Sequence, residues 1–184
     1  MEAANRALLS DELVKLGLSP DTVQIDAVVR HLELVAEWNE KINLTAVTAE
    51  RDMVIKHAID SAMAVAQVPF AAPMRIVDVG TGAGFPGVTL KCLFPGVHVT
   101  LLESLQKRCK FLEVCGTEII SQVSPGAAGY EVVWGRAEDK GLSNEYREQF
   151  DVAVARAVAE LRVLSEYCLP FVKVGGVFLA MKGP

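Results

Sequence analysis

The chain has 184 residues, of which 51% are hydrophobic and 22% are charged, and its formal net charge at pH 7 is −5. This length predicts one globular domain with a core of its own, and the acidic balance excludes a protein that coats itself with nucleic acid through a uniformly basic surface. A binder that uses one local basic face is not excluded. No apolar run approaches the roughly 18 residues of a membrane span, and the first residues have no apolar signal core, so we expect neither a membrane span nor a signal peptide.

The cysteines and histidines show no metal-binding pattern. Cys92, Cys109, Cys115 and Cys168 have no CxxC spacing, and the chain has three histidines. The first three of these cysteines fall in helical stretches among leucine and phenylalanine, which favours buried free thiols over disulfides. We therefore expect a cytoplasmic protein without a metal site.

Residues 1–70 have the apolar periodicity of helices. Ser19-Pro20-Asp21 is typical of a helix start, and the apolar residues that follow at spacings of three and four predict one long helix that ends near Asn43. Thr48 is the expected cap of a further helix. Because a proline-containing linker follows, we predict an N-terminal helical extension over 1–70 and a core over 71–184.

From residue 74 the pattern changes to short apolar strands that alternate with helices. The predicted strands are 75–79, 98–103, 131–134, 151–155 and 177–181. The helix after the second strand has Ser104 as its expected cap. Such alternation is typical of βαβ units, so it predicts an α/β fold with a parallel sheet and right-handed crossovers.

The most informative segment is the glycine-rich turn Asp78–Gly87 after the first strand. Gly80, Gly82 and Gly84 permit positive φ angles and the close approach of a ligand to the backbone, at the end of a strand where open α/β sheets bind small molecules. The interpretation as GxGxxG from Gly82, with Glu103 following 21 residues later, is typical of NAD(P) binding. Counted from Gly80 the spacing is GxGxG, and the carboxylate of Asp78 would repel a diphosphate but attract an ammonium group. These features favour S-adenosyl-L-methionine.

Other polar residues follow the remaining strands at the same edge of the sheet. Glu103 ends the second strand, where its carboxylate would accept the ribose hydroxyls of a cofactor. The segment 135–139 after the third strand would hold the adenine, although an ordinary polar loop explains it as well. Arg156 after the fourth strand would face the transferred methyl group, or would form a surface ion pair.

Several longer motifs resemble those of a known family. EWNEKINLT (37–45), KHAIDS (56–61), the glycine-rich turn, GRAE (135–138) and ARA (155–157) resemble, in this order, motifs of the bacterial small-subunit ribosomal RNA guanine-N7 methyltransferases, also called glucose-inhibited division protein B. The first two motifs are far more specific than the glycines. The resemblance covers nearly the whole chain and implies a class I S-adenosylmethionine-dependent, Rossmann-like methyltransferase fold behind an N-terminal helical extension. The implied partner is 16S ribosomal RNA in the small subunit or its precursor.

The resemblance also implies which residues form the site. Carried over by motif, the cofactor-binding residues are Gly80, Gly82, Gly84, Phe85, Glu103, Ala137, Glu138 and Arg156. Arg156 is also the expected catalytic residue. Basic clusters supply the candidate RNA contacts, which are Lys56, His57, Lys107, Arg108 and Lys182.

The implied reaction needs few catalytic groups. Guanine N7 carries an in-plane lone pair and no proton, and it is exposed at the major-groove edge of the base. Its attack on a sulfonium methyl group therefore needs no general base, and alignment of the reacting atoms dominates the rate. We expect no catalytic triad.

The sequence departs from the pattern of the family at the carboxyl end. The family continues beyond the fifth strand with a helix and two more strands, so we expect five of seven strands, in the order 3-2-1-4-5, with the C-terminal strands missing.

Two alternatives to the methyltransferase stay open. One is an NAD(P)-dependent oxidoreductase, and the other is a non-catalytic ribosome-assembly factor that binds small subunits without methyl transfer.

Overall fold

The computed structural model describes residues 1–157 and 159–181, which form a parallel five-stranded sheet with helices on both faces. The strands are β1 (Arg75–Val79), β2 (His98–Glu103), β3 (Tyr130–Trp134), β4 (Phe150–Arg156) and β5 (Val172–Met181). All four pairings are parallel, in the order β3-β2-β1-β4-β5. This confirms the predicted order. The direction of winding reverses between β1 and β4, which is where open α/β sheets leave a crevice for ligands.

The helices fall into two groups. The N-terminal group consists of α1 (Ala3–Lys15), α2 (Thr22–Asn39), α3 (Glu50–Met53), the π-helical turn Val54–Ile59, α4 (Asp60–Ala62) and the 3₁₀ turn Met63–Ala66. The second group connects the strands and consists of α5 (Gly87–Leu93), α6 (Gln106–Cys115), the π-helical segment Gly116–Ile120, α7 (Ser121–Val123), α8 (Ala137–Lys140) and α9 (Leu161–Cys168), with 3₁₀ turns at Pro125–Ala127 and Leu169–Phe171.

Alternate residues of the strands supply two separate cores. Ile76 packs into the core that contains α2, α5 and α6, whereas its neighbour Val77 packs on the other face against Leu164 of α9. The first core also takes in Leu9 of α1 and Val28 of α2. The N-terminal helices therefore share one apolar core with the sheet. The boundary predicted at residue 70 stays a prediction.

A buried lysine joins two loops at the amino ends of the strands. Lys91 of α5 is fully buried, and its ammonium group donates hydrogen bonds to the carbonyl oxygens of Pro95 (2.6 Å), Val97 (2.8 Å) and Ala128 (2.7 Å). A buried charge is tolerated when it is fully hydrogen-bonded. Lys91 thereby fastens the segments that lead into β2 and β3.

The end of α2 differs from the prediction because a side chain bonds the following turn. The helix ends at Asn39 and not near Asn43. The Asn39 side chain donates to the carbonyl oxygen of Thr45 (3.0 Å) and accepts from the N–H groups of Leu44 (2.8 Å) and Thr45 (3.0 Å). The segment 40–45 is thus folded back against the helix end.

Two predicted helix caps are wrong. The residue that precedes α3 is Ala49 and not Thr48, and it makes no side-chain cap. The residue that precedes α6 is Leu105, whose N–H donates to a carboxylate oxygen of Glu103 (2.8 Å), so Ser104 lies outside the helix.

Strand β5 begins five residues before its predicted start. The pairing with β4 has a register irregularity between Phe150 and Val152, opposite the glycine pair of β5. A Cβ atom at Gly176 would lie 2.7 Å from the carbonyl oxygen of Asp151, so glycine permits the close approach of the two backbones there. Gly175 and Gly176 thus lie inside the strand.

The four cysteines are buried and free, as predicted. Among residues 1–157 and 159–181, no helix has the length and apolar character needed to cross a membrane. Within the same residues, no three His, Cys, Asp or Glu side chains come together as a group that could hold a metal ion.

Candidate functional site

The turn after β1 is shaped by three glycines and one buried carboxylate. Gly80, Gly82 and Gly84 have φ angles of 72°, 60° and 85°. The Oδ2 atom of Asp78 accepts hydrogen bonds from the Thr81 hydroxyl (2.6 Å) and from the N–H group of Gly87 (2.8 Å), which closes the turn. The turn is therefore a preformed feature of the fold.

The side chain of Asp78 is not where the sequence predicts it, beside the ligand. Its side chain is fully buried, and this burial raises its pKa to about 6. The Oδ1 atom is buried as well and has no hydrogen-bond partner among the residues that the structure describes. Asp78 holds the turn from beneath and leaves one acceptor there without a donor.

The backbone of the turn has few free donors. The N–H groups of Gly80, Gly82, Gly84 and Gly87 donate to the Leu102 carbonyl, the Glu103 carboxylate, the Thr81 carbonyl and the Asp78 carboxylate, respectively. Pro86 has no N–H group. A diphosphate binds through free backbone N–H groups at a helix start, so this turn is unsuited to NAD(P) as it stands.

The first cavity lies at the carboxyl ends of β1, β2 and β3 and has a volume of about 240 Å³. It is lined by Val79, Gly80, Leu102, Ser104, Gly135, Arg136, Ala137, Glu138 and Tyr167. Three of the predicted cofactor residues, Gly80, Ala137 and Glu138, thus meet in one cavity. Sequence reasoning missed Tyr167, which reaches the cavity from α9, where no motif marks it. The neighbouring Glu138 carboxylate raises the pKa of the Tyr167 hydroxyl.

Glu103 lies at the end of β2 and is nearly buried, with 4% of its surface exposed. Its Oε2 atom accepts from the N–H group of Gly82 (3.0 Å), its Oε1 atom accepts from the N–H group of Leu105 (2.8 Å), and the Arg108 guanidinium is 3.8 Å away. Each carboxylate oxygen retains a further lone pair. The predicted bond to a ribose stays a prediction that this geometry permits.

The second cavity adjoins the first at Gly80 and has a volume of about 400 Å³. It is lined by Leu44, Thr45, Val47, Lys56, His57, Asp60, Gly80, Thr81, Gly82, Ala83, Phe85, Arg108, Arg156 and Ala157. The EWNEKINLT, KHAIDS and ARA motifs and the glycine-rich turn therefore line one cavity, although they are far apart in the sequence.

Arg156 is held rigidly at this cavity. Its Nη1 atom donates to the Lys56 carbonyl (2.7 Å) and to the Asp60 carboxylate (2.7 Å), and its Nη2 atom lies 3.2 Å from Nδ1 of His57. Its guanidinium carbon lies 5.3 Å from the centre of the Phe85 ring, and its side chain is 14% exposed. Arg156 does form an ion pair with Asp60, but both residues line the second cavity, so the pair is part of the cavity wall.

His57 is a neutral member of this network. Burial, followed by the positive charge of Arg156, lowers its pKa to about 4. Its Nδ1 atom lies between the Arg156 guanidinium (3.2 Å), which can only donate, and the Lys56 carbonyl oxygen (3.1 Å), which can only accept, and its Nε2 atom lies 2.8 Å from the Thr45 hydroxyl. The RNA contact predicted for His57 would therefore involve an uncharged ring.

The other candidate RNA contacts have different surroundings. Lys56 is exposed and pairs with Asp52 (3.0 Å), and Arg108 donates to the carbonyl of Asn43 (3.1 Å). Both line the second cavity. Lys107 is exposed on α6. Lys182 lies outside the described residues.

The two cavities fit S-adenosyl-L-methionine. The carboxylate of Glu138 lines the first cavity and that of Glu103 is bonded to Gly82 of the glycine-rich turn, whereas the N–H groups of this turn are largely occupied. This surplus of acceptors suits a ligand with an ammonium group, a sulfonium and two ribose hydroxyls. The glycines leave the approach to the turn open, since a Cβ atom at Gly82 would come no closer than 4.0 Å to any neighbouring atom.

Solved structures share the fold at low sequence identity. A methyltransferase of Methanococcus maripaludis, titled as S-adenosyl-L-methionine-dependent, matches 83% of this chain and 62% of its own chain, with 14% identity and a TM-score of 0.54. The precorrin-6y C5,15-methyltransferase of Geobacter metallireducens matches 75% of this chain and 64% of its own chain, with 14% identity and a TM-score of 0.51. These matches confirm the predicted class I, Rossmann-like fold.

Sequence comparisons show the family as well as the fold. Residues 24–184 match the family model described as rRNA small subunit methyltransferase G. The chain is 57% identical over 181 residues to the ribosomal RNA small subunit methyltransferase G of Symbiobacterium thermophilum, which covers 98% of this chain and 73% of that protein. It is 47% identical over 178 residues to the protein of the same name from Alkaliphilus oremlandii, covering 96% and 72% respectively. The resemblance seen in the motifs is thereby confirmed, and the oxidoreductase alternative is set aside. The chain belongs to the rRNA small subunit methyltransferase G family.

Proposed function

We propose that this protein transfers a methyl group from S-adenosyl-L-methionine to N7 of one guanosine in 16S ribosomal RNA. The observation that carries the proposal is the convergence of the family motifs on the second cavity. Lys56 and Arg156 are 100 residues apart in the sequence and are joined there by a hydrogen bond. A cavity built from these motifs, directly beside a cavity suited to the cofactor, is what a transfer between two bound molecules requires.

The first cavity and the glycine-rich turn would hold the cofactor. We assign Ala137 and Glu138 to the adenine, Glu103 to the ribose, and the backbone at Gly80 and Gly82 to the amino-acid part. When bound, S-adenosyl-L-methionine supplies a methyl group that is already activated on a sulfonium. The protein therefore has to bind, align and desolvate the reactants, but does not have to activate the methyl group.

The second cavity would hold the guanine. Arg156 is the group we assign to the reaction centre: its bonds to Asp60 and to the Lys56 carbonyl fix its plane, and its remaining N–H groups suit guanine O6. His57 is unsuited to act as a base, because both ring nitrogens already have partners and its pKa is lowered to about 4. This agrees with a nucleophile that has no proton to lose.

The substrate would be the small ribosomal subunit or its precursor in the cytoplasm. The cations at the second cavity, Lys56, Arg108 and Arg156, are few, and the chain as a whole has a net charge of −5. Electrostatic attraction to RNA phosphates is thus local. We infer that the folded shape of the subunit supplies part of the recognition, so activity on protein-free 16S RNA is expected to be much lower.

The test is methyl transfer from tritiated cofactor to small subunits that lack the modification, followed by mapping of the labelled base. We expect incorporation at N7 of one guanosine, and Arg156→Ala is expected to reduce turnover about 100-fold, as loss of a rigidly placed donor does. Arg147→Ala is the matched control, because Arg147 is exposed and precedes β4 at the opposite edge of the sheet. Binding to subunits without any transfer of label would contradict the proposal and favour the non-catalytic assembly factor.

A further inference from the structure

The side chain of His31 on helix α2 contacts the glycine-rich turn. This residue is fully buried, and its Nε2 atom lies 2.8 Å from the carbonyl oxygen of Ala83. Its ring centre is 4.5 Å from that of Phe85. A Cβ atom at Gly84 would lie 3.1 Å from Nε2, so the turn approaches the imidazole as closely as a glycine allows.

The protonation of His31 follows from its surroundings. Burial lowers its pKa to about 4, so the ring is neutral at pH 7 and carries one N–H group. Since the Ala83 carbonyl can only accept, that proton is on Nε2. Nδ1 is buried and has no hydrogen-bond partner among the described residues. An apolar side chain would avoid this unpaired acceptor, so the contribution of histidine here lies in the bond to Ala83 and the contact with Phe85.

A second histidine also packs against Phe85. The ring of His57 stacks on it with a centre-to-centre distance of 4.6 Å and an interplanar angle of 21°. His31 comes from α2 and His57 from the π-helical turn Val54–Ile59, so two N-terminal elements contact the Phe85 ring. Phe85 and Ala83 both line the second cavity.

We propose that His31 is a positioning residue for the cofactor turn. By accepting its N–H group, the Ala83 carbonyl fixes the orientation of the peptide between Ala83 and Gly84, and by packing on Phe85 the imidazole fixes the wall of the second cavity. The turn is then shaped before the cofactor binds, which lowers the entropy cost of binding. This inference rests on the proposed function, because it assigns the turn to S-adenosyl-L-methionine.

Two substitutions separate the two contacts. His31→Phe keeps an aromatic ring and removes the donor, whereas His31→Gln keeps an N–H group near the position of Nε2 and removes the ring. Val29→Ala is the matched control, because Val29 is also buried on α2 but lies two residues earlier, on roughly the opposite side of the helix.

The readouts are the dissociation constant of S-adenosyl-L-homocysteine by calorimetry, amide hydrogen exchange over residues 80–87 in the cofactor-free protein, and the thermal unfolding midpoint. We expect His31→Phe to weaken binding about tenfold, as loss of one buried hydrogen bond does, and to speed exchange over 80–87. His31→Gln should recover most of the affinity. Val29→Ala should lower the unfolding midpoint and leave the dissociation constant unchanged.

The inference is overturned if His31→Phe binds like the wild type with unchanged exchange over 80–87, or if Val29→Ala weakens binding as much as His31→Phe. Failure of the proposed function gives a different result. In that case the wild-type protein itself does not bind S-adenosyl-L-homocysteine, or does not transfer label to small subunits.

Discussion

Replacing Gly84 with alanine tests how closely the turn after β1 is packed. Gly84 has a φ angle of +85°, and a Cβ atom there would lie 2.4 Å from Cγ2 of Val88 and 3.1 Å from Nε2 of His31. Gly17, between α1 and α2, has a φ angle of +80° but has nothing within 4 Å of such an atom. Comparison of the two alanine variants therefore separates the cost of positive φ from the cost of close packing.

The magnitudes follow from these two contributions. A left-handed conformation costs an alanine about 1–2 kcal/mol, and overpacking adds about 1–3 kcal/mol. We expect Gly17→Ala to lower the free energy of unfolding by about 1–2 kcal/mol and Gly84→Ala to lower it by about 2–5 kcal/mol. For a chain of this size, each kcal/mol corresponds to roughly 2–4 °C in the unfolding midpoint.

Urea denaturation of both variants measures the difference, and a double substitution identifies its cause. Val88→Ala removes the nearer atom, so Gly84→Ala is expected to cost about 1 kcal/mol less in that background. Equal losses of stability in Gly17→Ala and Gly84→Ala would refute the assignment of Gly84 to close packing. A cost for Gly84→Ala that does not change in the Val88→Ala background would refute the identity of the contact.

Three further predictions concern other residues. Lys91→Met leaves three carbonyl groups, of which that of Val97 is buried, without their donor and should cost about 3 kcal/mol or more in urea denaturation, whereas Lys110→Met on the exposed side of α6 should cost almost nothing. The pKa of His57 falls from 6.5 to about 4 on folding, so its contribution to stability is complete above pH 6.5 and is lost as the pH falls to 4. The difference in unfolding free energy between wild type and His57→Asn should therefore shrink over that range by up to about 1.4 kcal/mol per pH unit. A difference that stays constant with pH would contradict this. Glu103→Gln retains one acceptor oxygen where two N–H groups need acceptors, so calorimetry should show S-adenosyl-L-homocysteine binding weakened about tenfold; unchanged binding would count against a role at the cofactor.

The sequence alone determined the strands and the position of the site along the chain. Apolar runs such as Ile76–Val79 are buried on both faces, and their alternation with helical segments is a local pattern that is readable from neighbouring residues. The glycine-rich turn is local too, because positive φ is a property of single residues. The motifs EWNEKINLT and KHAIDS are likewise continuous stretches of sequence, so the family resemblance is visible without the fold.

Only the tertiary structure decided which side chains meet. The contacts of Arg156 with Lys56 and of His31 with Ala83 join residues 100 and 52 positions apart, and no periodicity along the chain reports such distances. The end of α2 at Asn39 and the start of β5 before its glycine pair were missed for the same reason. Each depends on a hydrogen bond or a close backbone approach that exists only once the chain has folded, whereas sequence patterns report what each segment prefers on its own.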